Sequence, residues 1–354
     1  MNRLERYIAG QVIRASAMTL VVLLSLLVFL HFVDELDDVG QGSYRALDAF
    51  LVALYSAPRL SFEAFPVAAL LGSLLGLGGL AARGELIAMR AAGISLLGVV
   101  LAVVKTGLLM MLIVLGLGEF LAPVSEGAAV QLKAQKQHEQ IVLKTRYGFW
   151  ARDGENFVNI RRILPGAAVE DVTLYQFNSD RELLRATHAA RGEYREGGWQ
   201  LLDVRETYLD KDRVVSQPAA QREWGAVLDP TLLALVVAKP VMLPLWDLER
   251  YIRHMEANGQ SATAYRVAFW NKLSTPLATL VMMVLAVPFV LGSLRSAGRG
   301  QRVFLGALLG SGYYLLSRAM SYGAVAYDLS PLATAMVPAA LFLALALVAL
   351  RRAQ

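Results

Sequence analysis

The segment ASAMTLVVLLSLLVFLHFV, residues 15–33, decides the fold of this chain because it contains no Asp, Glu, Lys or Arg. A helix rises about 1.5 Å per residue, so a run of this length crosses the hydrocarbon core of a bilayer. Two longer runs carry one charge each, Lys105 in residues 91–118 and Arg318 in residues 303–327. Three other charge-free runs are residues 64–82, 273–294 and 329–350. The sequence therefore predicts six transmembrane helices.

The composition agrees with a membrane protein. Of 354 residues, 56% are hydrophobic and only 18% are charged, which is too apolar for a soluble chain of this size. The formal net charge of +5 requires no nucleic acid, because Arg residues of the predicted inner loops account for much of it. The chain has no cysteine, which excludes disulfides, thiol catalysis and Cys-ligated metals.

A polar block of different pattern separates the third and fourth predicted spans. From about residue 139, alternating polar and apolar residues are broken by turn dipeptides such as Asp153-Gly154 and Gly197-Gly198. This pattern is typical of antiparallel strands in a sandwich or jelly roll. We therefore expect an α-helical membrane protein with a β insertion, divided into residues 1–123, a β domain with flanking helices at 124–265, and residues 266–354.

The distribution of arginine predicts the orientation. The predicted inner segments hold ten arginines, whereas the short outer loops hold only Arg45. Because basic residues stay on the cytoplasmic side, both termini are expected in the cytoplasm and the β block on the other side. A bacterial inner membrane with a periplasmic domain fits this arrangement. The ten are Arg3, Arg6, Arg14, Arg83, Arg90, Arg295, Arg299, Arg302, Arg351 and Arg352.

Motifs for catalysis are missing from the sequence. It contains no GxxxxGK[ST] loop, no HExxH and no GxSxG, and its four histidines are far apart in the chain. The chain is therefore expected to be non-catalytic, with no cofactor or metal of its own.

The predicted cytoplasmic loop ARGELIAMRAAGIS, residues 82–95, carries three charged residues around the apolar residues of its centre. They are Arg83, Glu85 and Arg90, around Leu86, Ile87 and Met89. This pattern predicts a short amphipathic helix at 83–95. Such a helix docks into a groove of another protein, or it simply lies at the membrane interface with Glu85 solvated. Periodicity alone leaves both interpretations open.

Charged residues inside predicted spans usually face a partner or a cavity. Arg59 and Glu63 are four residues apart, which predicts a local ion pair. Arg318 has no obvious partner in the sequence, so it is the best candidate for a charge that faces a cavity. Glu119, at the outer end of the third span, is expected at the interface.

Four segments resemble the family of lipopolysaccharide export permeases and appear in the same order as in that family. They are FVDELDDVGQGSYRAL (32–47), PVAALLGSLLGLGGLAARGELIAMRAAGIS (66–95), GFWARDGENFVNI (148–160) and FWNKLSTPLATLVMM (269–283). The resemblance implies six transmembrane helices with a periplasmic β-jelly roll between the third and fourth. It also implies an LptF paralogue as the other half of the cavity, two copies of the ATPase LptB, and LptC. ATP and Mg would then bind to LptB, and lipopolysaccharide would be the substrate.

The family resemblance also implies roles for individual residues. Glu85 matches the family's coupling glutamate, which favours docking of the loop helix into LptB. Lys133 matches a basic family position, with Lys136 nearby, and both are expected to contact substrate phosphates. His31, like Asp37 and Asp38, stands where some relatives carry lysine. We expect His31 and Arg318 to belong to the substrate site and leave the two aspartates unassigned.

Two other functions remain possible at this stage. A secondary transporter would need coupling-ion residues in mid-membrane and often has discontinuous helices. A membrane-anchored scaffold would bind a periplasmic partner without transport. Neither function would respond to ATP. Co-purification with an ATPase, followed by ATP-dependent release of substrate, therefore distinguishes these two functions from an exporter subunit.

The predicted topology can be tested by labelling with an impermeant maleimide. Single cysteines placed at Ser179 and Ser216 are expected to react from the periplasm, because they lie in the β block. A cysteine at Ser296 is expected to stay unlabelled, because it lies in an Arg-rich inner loop. Labelling of Ser296 from outside would reverse the orientation.

Overall fold

The structure of the chain is a computed structural model. It describes residues 3–137, 149–153, 156–164, 168–178, 182–195, 198–210, 213–224, 240, 243–291 and 298–352. Ser179 and Ser296, the sites of two labelling predictions above, lie outside these ranges, whereas Ser216 lies within them.

Helices make up most of the described residues. The first six are α1 (Arg3–Glu35), α2 (Ala46–Tyr55), α3 (Ala57–Ala82), α4 (Glu85–Ala91), α5 (Leu96–Gly116) and α6 (Ala122–Lys136). A π-helical turn, Leu117–Leu121, joins α5 to α6, so these two form one long rod. After the strands follow α7 (Leu245–Ala257), α8 (Thr263–Leu291), α9 (Arg299–Ala326) and α10 (Pro331–Arg352).

Six of these segments are long and apolar enough to cross a membrane, as the sequence predicts. They are α1, α3, the α5–α6 rod, α8, α9 and α10. The most apolar windows of α3 and α8 are each 72% buried, whereas those of α1 and α9 are 6% and 17% buried. Thus α3 and α8 form the centre of the membrane part, and α1 and α9 expose most of their surface.

The second apolar region consists of two helices rather than one. It divides at Ser56 into α2 and α3, and Pro58 lies in the first turn of α3, where the missing N–H of proline is tolerated. Pro66 lies inside α3 without ending it.

Glycine allows α1 to approach α3 closely. A Cβ on Gly72 would lie 2.2 Å from the Cα of Ser16, and one on Gly76 would lie 3.1 Å from the Cα of Val12. Only glycine leaves room for this contact, which is the role of small residues between membrane helices. Gly306 of α9 similarly receives Leu71 of α3, whose Cδ2 would lie 2.5 Å from an added Cβ.

The β insertion predicted between the third and fourth spans is confirmed. Six strands form one antiparallel sheet in the order β1 to β6, so each described strand pairs with the next in sequence. They are β1 (Phe149–Asp153), β2 (Asn156–Leu164), β3 (Ala168–Phe177), β4 (Leu183–Arg195), β5 (Gly198–Asp210) and β6 (Arg213–Trp224). This order is a meander, and the crossover connections of a jelly roll do not occur among the described strands.

A bend crosses the sheet at Asp171 in β3 and Asp203 in β5, whose φ angles are 54° and 51°. Aspartate adopts this left-handed conformation more readily than most residues. Buried residues on either side of the bend are three apart rather than two, as in the pair Leu201 and Val204. One face of the sheet therefore stays buried across the bend.

The two halves of the bent sheet contact each other. Arg222, near the end of β6, donates a hydrogen bond to the Thr187 hydroxyl at 3.0 Å and forms an ion pair with Glu206, which lies on the other side of the bend. A cavity of about 230 Å³ lies beside these residues. The β domain is thus one continuous bent sheet rather than the sandwich or jelly roll that the sequence pattern suggests.

Helix α7 buries one side of its surface. Leu248 and Tyr251 are buried, and Gly259 follows the helix with a φ of 66°, a conformation that favours glycine. The ring of Tyr251 joins the core of the β sheet, so α7 packs the β insertion onto the membrane part.

The α1–α3 contact generates a stability prediction. We expect Gly72→Ala to lower the stability of the protein by about 3 kcal/mol, because the new methyl group meets backbone that cannot move aside. Gly10→Ala is the control, since a Cβ there meets no atom within 4 Å and alanine favours a helix. Thermal unfolding in detergent measures both, and equal midpoints would contradict the close contact.

Candidate functional site

The predicted loop helix is present but shorter than expected. It covers Glu85–Ala91, because Gly84 and Gly93, with φ angles of 76° and 89°, end the helical conformation on both sides. Arg83 therefore lies before the helix, as the residue that ends α3, and not within it. The helix is one short rigid element between two spans.

The outer face of α4 differs in one residue from the sequence prediction. Met89 packs against the apolar core of the membrane part, together with the buried Leu86. Ile87 is instead the exposed apolar residue, with 51% of its surface accessible. The face available to a partner thus contains Ile87 and Arg90, with Glu85 at its start. Because this helix has only about two turns, the sequence pattern alone does not show which of its residues face the core and which face outward.

Glu85 is held by two residues of its own chain. The Tyr7 hydroxyl donates a hydrogen bond to Glu85 Oε2 at 2.8 Å, and Arg83 Nε donates one to Oε1 at 2.5 Å. These bonds, that of Arg83 first, lower the pKa of the Glu85 carboxyl below its usual value. Glu85 is therefore a fixed anion at the surface of the molecule.

The candidate substrate residue Lys133 joins α6 to the end of α1. Its Nζ lies 2.7 Å from Glu35 Oε2 and 2.6 Å from Asp38 Oδ2. The buried Tyr44 donates a hydrogen bond to the same Glu35 oxygen at 3.1 Å. Asp38, unassigned in the sequence, is thus a partner of Lys133.

The loop after α1 lies directly on the end of α6. Ser43 donates hydrogen bonds from its backbone N and its hydroxyl to the Lys136 carbonyl, at 2.7 and 2.9 Å. The Lys136 ammonium lies 3.7 Å from Asp48 of α2. A Cβ on Gly42 would lie 2.6 Å from Gln137, so the GQGSY segment needs glycine for this approach.

His31 lies one turn before Glu35 on the same face of α1 and is half-buried. It thus lies on the face of α1 that carries Glu35, the partner of Lys133. Three of the four sequence candidates, His31, Lys133 and Lys136, thus lie where the ends of α1 and α6 meet.

Arg318, the fourth candidate, has a partner that the sequence did not reveal. Its Nη2 lies 2.8 Å from Glu63 Oε2, and its Nε donates a hydrogen bond to the Tyr314 hydroxyl at 3.2 Å. Glu63 also forms the predicted ion pair with Arg59, at 3.1 Å. The expectation of an unpartnered Arg318 was wrong, because the packing of α9 on α3 brings together residues that are distant in sequence.

The network continues into α6, where Arg59 Nε lies 3.2 Å from the buried Glu126. Two arginines and two carboxylates thus join α3, α6 and α9. The Arg318 side chain remains 43% exposed, so it is held in place and is still accessible on the surface of α9.

Comparison with known proteins identifies the family. The family model described as "Lipopolysaccharide export system permease LptF/LptG" matches residues 6–352. The chain belongs to the LptF/LptG family of lipopolysaccharide export permeases. It is 36% identical over 352 residues to the lipopolysaccharide export system permease protein LptG of Escherichia coli (strain K12), covering 99% of this chain and 98% of that protein. LptG of Haemophilus influenzae is 32% identical over 345 residues, covering 97% and 96%.

Within this LptF/LptG fold, Glu119 has a role that the sequence analysis missed. It was expected at the interface, but its carboxylate is buried and accepts hydrogen bonds from Leu245 N at 2.8 Å and Lys272 Nζ at 3.3 Å. Lys272 also donates a hydrogen bond to the Leu243 carbonyl at 2.6 Å. This pair fixes the start of α7 to the third and fourth spans. The available signal was Lys272, a single charge at the edge of the fourth apolar run.

The cavity in the β domain of this LptF/LptG chain is polar. Its lining includes Arg185, Arg222, Gln176 and Asn156, with Trp224 at one side. Among the residues that the structure describes, no group of three His, Asp or Glu side chains could hold a metal ion.

Proposed function

We propose that this chain is the transmembrane permease subunit of an ABC-type lipopolysaccharide exporter. It extracts lipopolysaccharide from the inner membrane and passes it toward a periplasmic bridge, using ATP hydrolysed by a separate subunit. The observation that carries this proposal is α4, a rigid helix with an exposed acidic start, between two spans of a family member whose sequence has no nucleotide-binding loop.

The ATPase partner is proposed to be the LptB dimer, with α4 in a groove of one copy. Glu85 gives α4 a fixed negative charge, Ile87 an apolar contact and Arg90 a positive charge. An acidic start, an apolar centre and a basic end suit a groove of matching chemistry. ATP and Mg then belong to LptB, and this chain is non-catalytic.

An LptF paralogue is proposed to complete the cavity. Helices α1 and α9 expose large apolar side chains such as Phe29 and Leu26 of α1 and Phe304 and Leu315 of α9. These two helices both pack on α3, which places their exposed surfaces at the sides of the central helix. A second, similar subunit would cover them while leaving a lateral path for lipid. LptC is proposed as a further partner of this assembly.

The orientation follows from charge. The arginines near both termini and beside α4 favour the cytoplasm for these segments, which places the β domain in the periplasm. A multi-pass protein of the bacterial inner membrane fits this arrangement.

The substrate site is proposed at the periplasmic ends of α1 and α6 and on α9. His31, Lys133 and Lys136 form one cluster, and Arg318 lies on the exposed surface of α9. Lysine and arginine give charge-assisted hydrogen bonds to phosphate. Since Lys133 already contacts two carboxylates, a phosphate must compete with Glu35 and Asp38 for it.

A secondary transporter fits the described residues less well. The charged groups in the described spans that could couple to an ion form ion pairs, among them Arg59, Glu63, Lys105 and Arg318. Paired groups of this kind stabilise helix packing. A scaffold without transport would leave α4 without a function. Release of lipopolysaccharide from liposomes only when ATP is present separates the exporter from both.

The coupling role of α4 predicts the effect of Glu85→Ala. In the complete complex, this change is expected to lower ATP-driven lipopolysaccharide release at least fivefold, because α4 loses its fixed charge. A fivefold loss corresponds to about 1 kcal/mol of coupling free energy. Glu249→Ala, which removes an exposed glutamate of α7, serves as the control. Unchanged complex yield together with unchanged release in the Glu85 variant would disprove the proposal.

The substrate role of Lys133 predicts a charge dependence. A photo-crosslinker at His31 or Lys133 is expected to capture lipopolysaccharide, and Lys133→Glu is expected to reduce export more than Arg213→Glu on the exposed edge strand. Lys211, a further basic residue of that region, lies outside the described residues. Lys133→Arg keeps the charge and is expected to preserve export. If both reversals have equal effects and neither site yields a lipid adduct, the cavity entrance lies elsewhere.

A further inference from the structure

The cytoplasmic end of α1 is bound to both sides of the loop that contains α4. On one side, the Tyr7 hydroxyl contacts Glu85 Oε2 at 2.8 Å. On the other, Lys105 Nζ of α5 lies 2.5 Å from Glu5 Oε1. The apolar residues between these contacts join the same cluster, since Ile8 of α1 and Leu86 of α4 are both buried in it. Any displacement of α4 therefore acts on the first two turns of α1.

Helix α1 is built to carry such a displacement to the other side of the membrane. It is one unbroken α-helix from Arg3 to Glu35, so Tyr7 and His31 are about 36 Å apart along its axis. Its inner half is fitted to α3 through Gly72 and Gly76. Its buried residues all lie in this inner half, and the last of them is Ser16. The outer half has no buried residue, and its end is held by Phe32, which packs against α2 and α6, and by Glu35, which binds Lys133, so a tilt of α1 acts on these contacts.

The outer end of α1 carries groups of the proposed substrate site. Glu35 holds Lys133, and His31 lies one turn before it. A tilt of α1 therefore changes the distance between Glu35 on α1 and Lys133 on α6. One helix thus connects the ATPase-facing element with the residues proposed to receive lipid phosphates.

We propose that Tyr7 and Glu5 are positioning residues that transmit movement of the coupling helix α4 to the substrate end of α1. This inference rests on the function proposed above. Tyr7 acts through Glu85: a carboxylate has about four acceptor positions, so Glu85 can bind a cation of the ATPase while it still accepts the Tyr7 hydroxyl. Glu5 acts through Lys105, which keeps the same end of α1 on α5. Loss of either contact lets α4 move without α1.

The experiment compares transport with ATP hydrolysis in the complete complex in liposomes. Lipopolysaccharide released per ATP hydrolysed is the measured quantity, because a simple loss of folded complex lowers both activities together. Tyr7→Phe removes only the hydroxyl and is expected to lower this ratio about fivefold, the scale of a modest coupling between sites. Tyr55→Phe is the matched control, since Tyr55 has a similar exposed fraction, 41% against 42% for Tyr7. It is expected to leave the ratio unchanged.

A charge exchange tests the second contact. Glu5→Gln and Lys105→Met are each expected to lower the ratio, and the double variant Glu5→Lys with Lys105→Glu is expected to restore it, since the ion pair is rebuilt with reversed sign. If the ion pair had only a structural role, the single variants would lower the yield of complex, but the lipopolysaccharide released per ATP hydrolysed would stay at the wild-type value.

The outcomes separate the two proposals. If Glu85→Ala lowers release while Tyr7→Phe and the Glu5 variants keep the wild-type ratio, the relay through α1 is wrong and the coupling role of α4 stands. If Glu85→Ala has no effect on ATP-driven release, the coupling role of α4 is wrong and the relay fails with it. If the wild-type complex releases no lipopolysaccharide in response to ATP, the exporter function itself fails. Reduced ratios for Tyr7→Phe and Glu5→Gln, with recovery in the exchanged pair, support the relay.

Discussion

The close approach of α1 to α3 is the constraint on which the membrane part depends. Helices in lipid gain little from burying apolar surface against each other, so they need close backbone contact or polar bonds to associate. Gly72 and Gly76 supply that contact, and a methyl group at Gly72 would overlap the backbone of Ser16. With α1 fixed on one side of α3 and α9 fitted at Gly306 on another, α3 becomes the centre of the bundle. The exposed surfaces of α1 and α9 follow from this arrangement.

Charge pairing supports the same arrangement in a different way. An isolated charge in or near hydrocarbon is unfavourable, so each ion pair requires two helices to hold a fixed distance. Glu63 joins α3 to α9 through Arg318, and Glu119 joins the π turn to α8 and to the start of α7. Lys133 differs from the cations of these two pairs because it contacts two carboxylates, those of Glu35 and Asp38. Its side chain is 28% exposed, so it is partly accessible where the ends of α1 and α6 meet.

In the β domain, two aspartates interrupt the regular alternation of buried and exposed residues along the strands. Its strands alternate as the sequence predicts, but Asp171 and Asp203 adopt positive φ and shift the alternation by one residue. The sheet can then fold so that Arg222 reaches Glu206 from the other half. A polar cavity lies in this bent sheet, lined in part by Arg185, Thr187 and Arg222.

The sequence by itself determined the six spans, the β insertion and the presence of a helix in the loop after α3, because apolar length and alternation are local properties. It also predicted the Arg59–Glu63 pair, whose members are one helical turn apart. Only the tertiary structure decided that Arg318 meets Glu63, 255 residues away, and that Lys133 meets Glu35. Met89 faces the core and Ile87 faces outward for the same reason: these outcomes depend on how helices pack, and packing joins residues whose separation in the chain carries no signal.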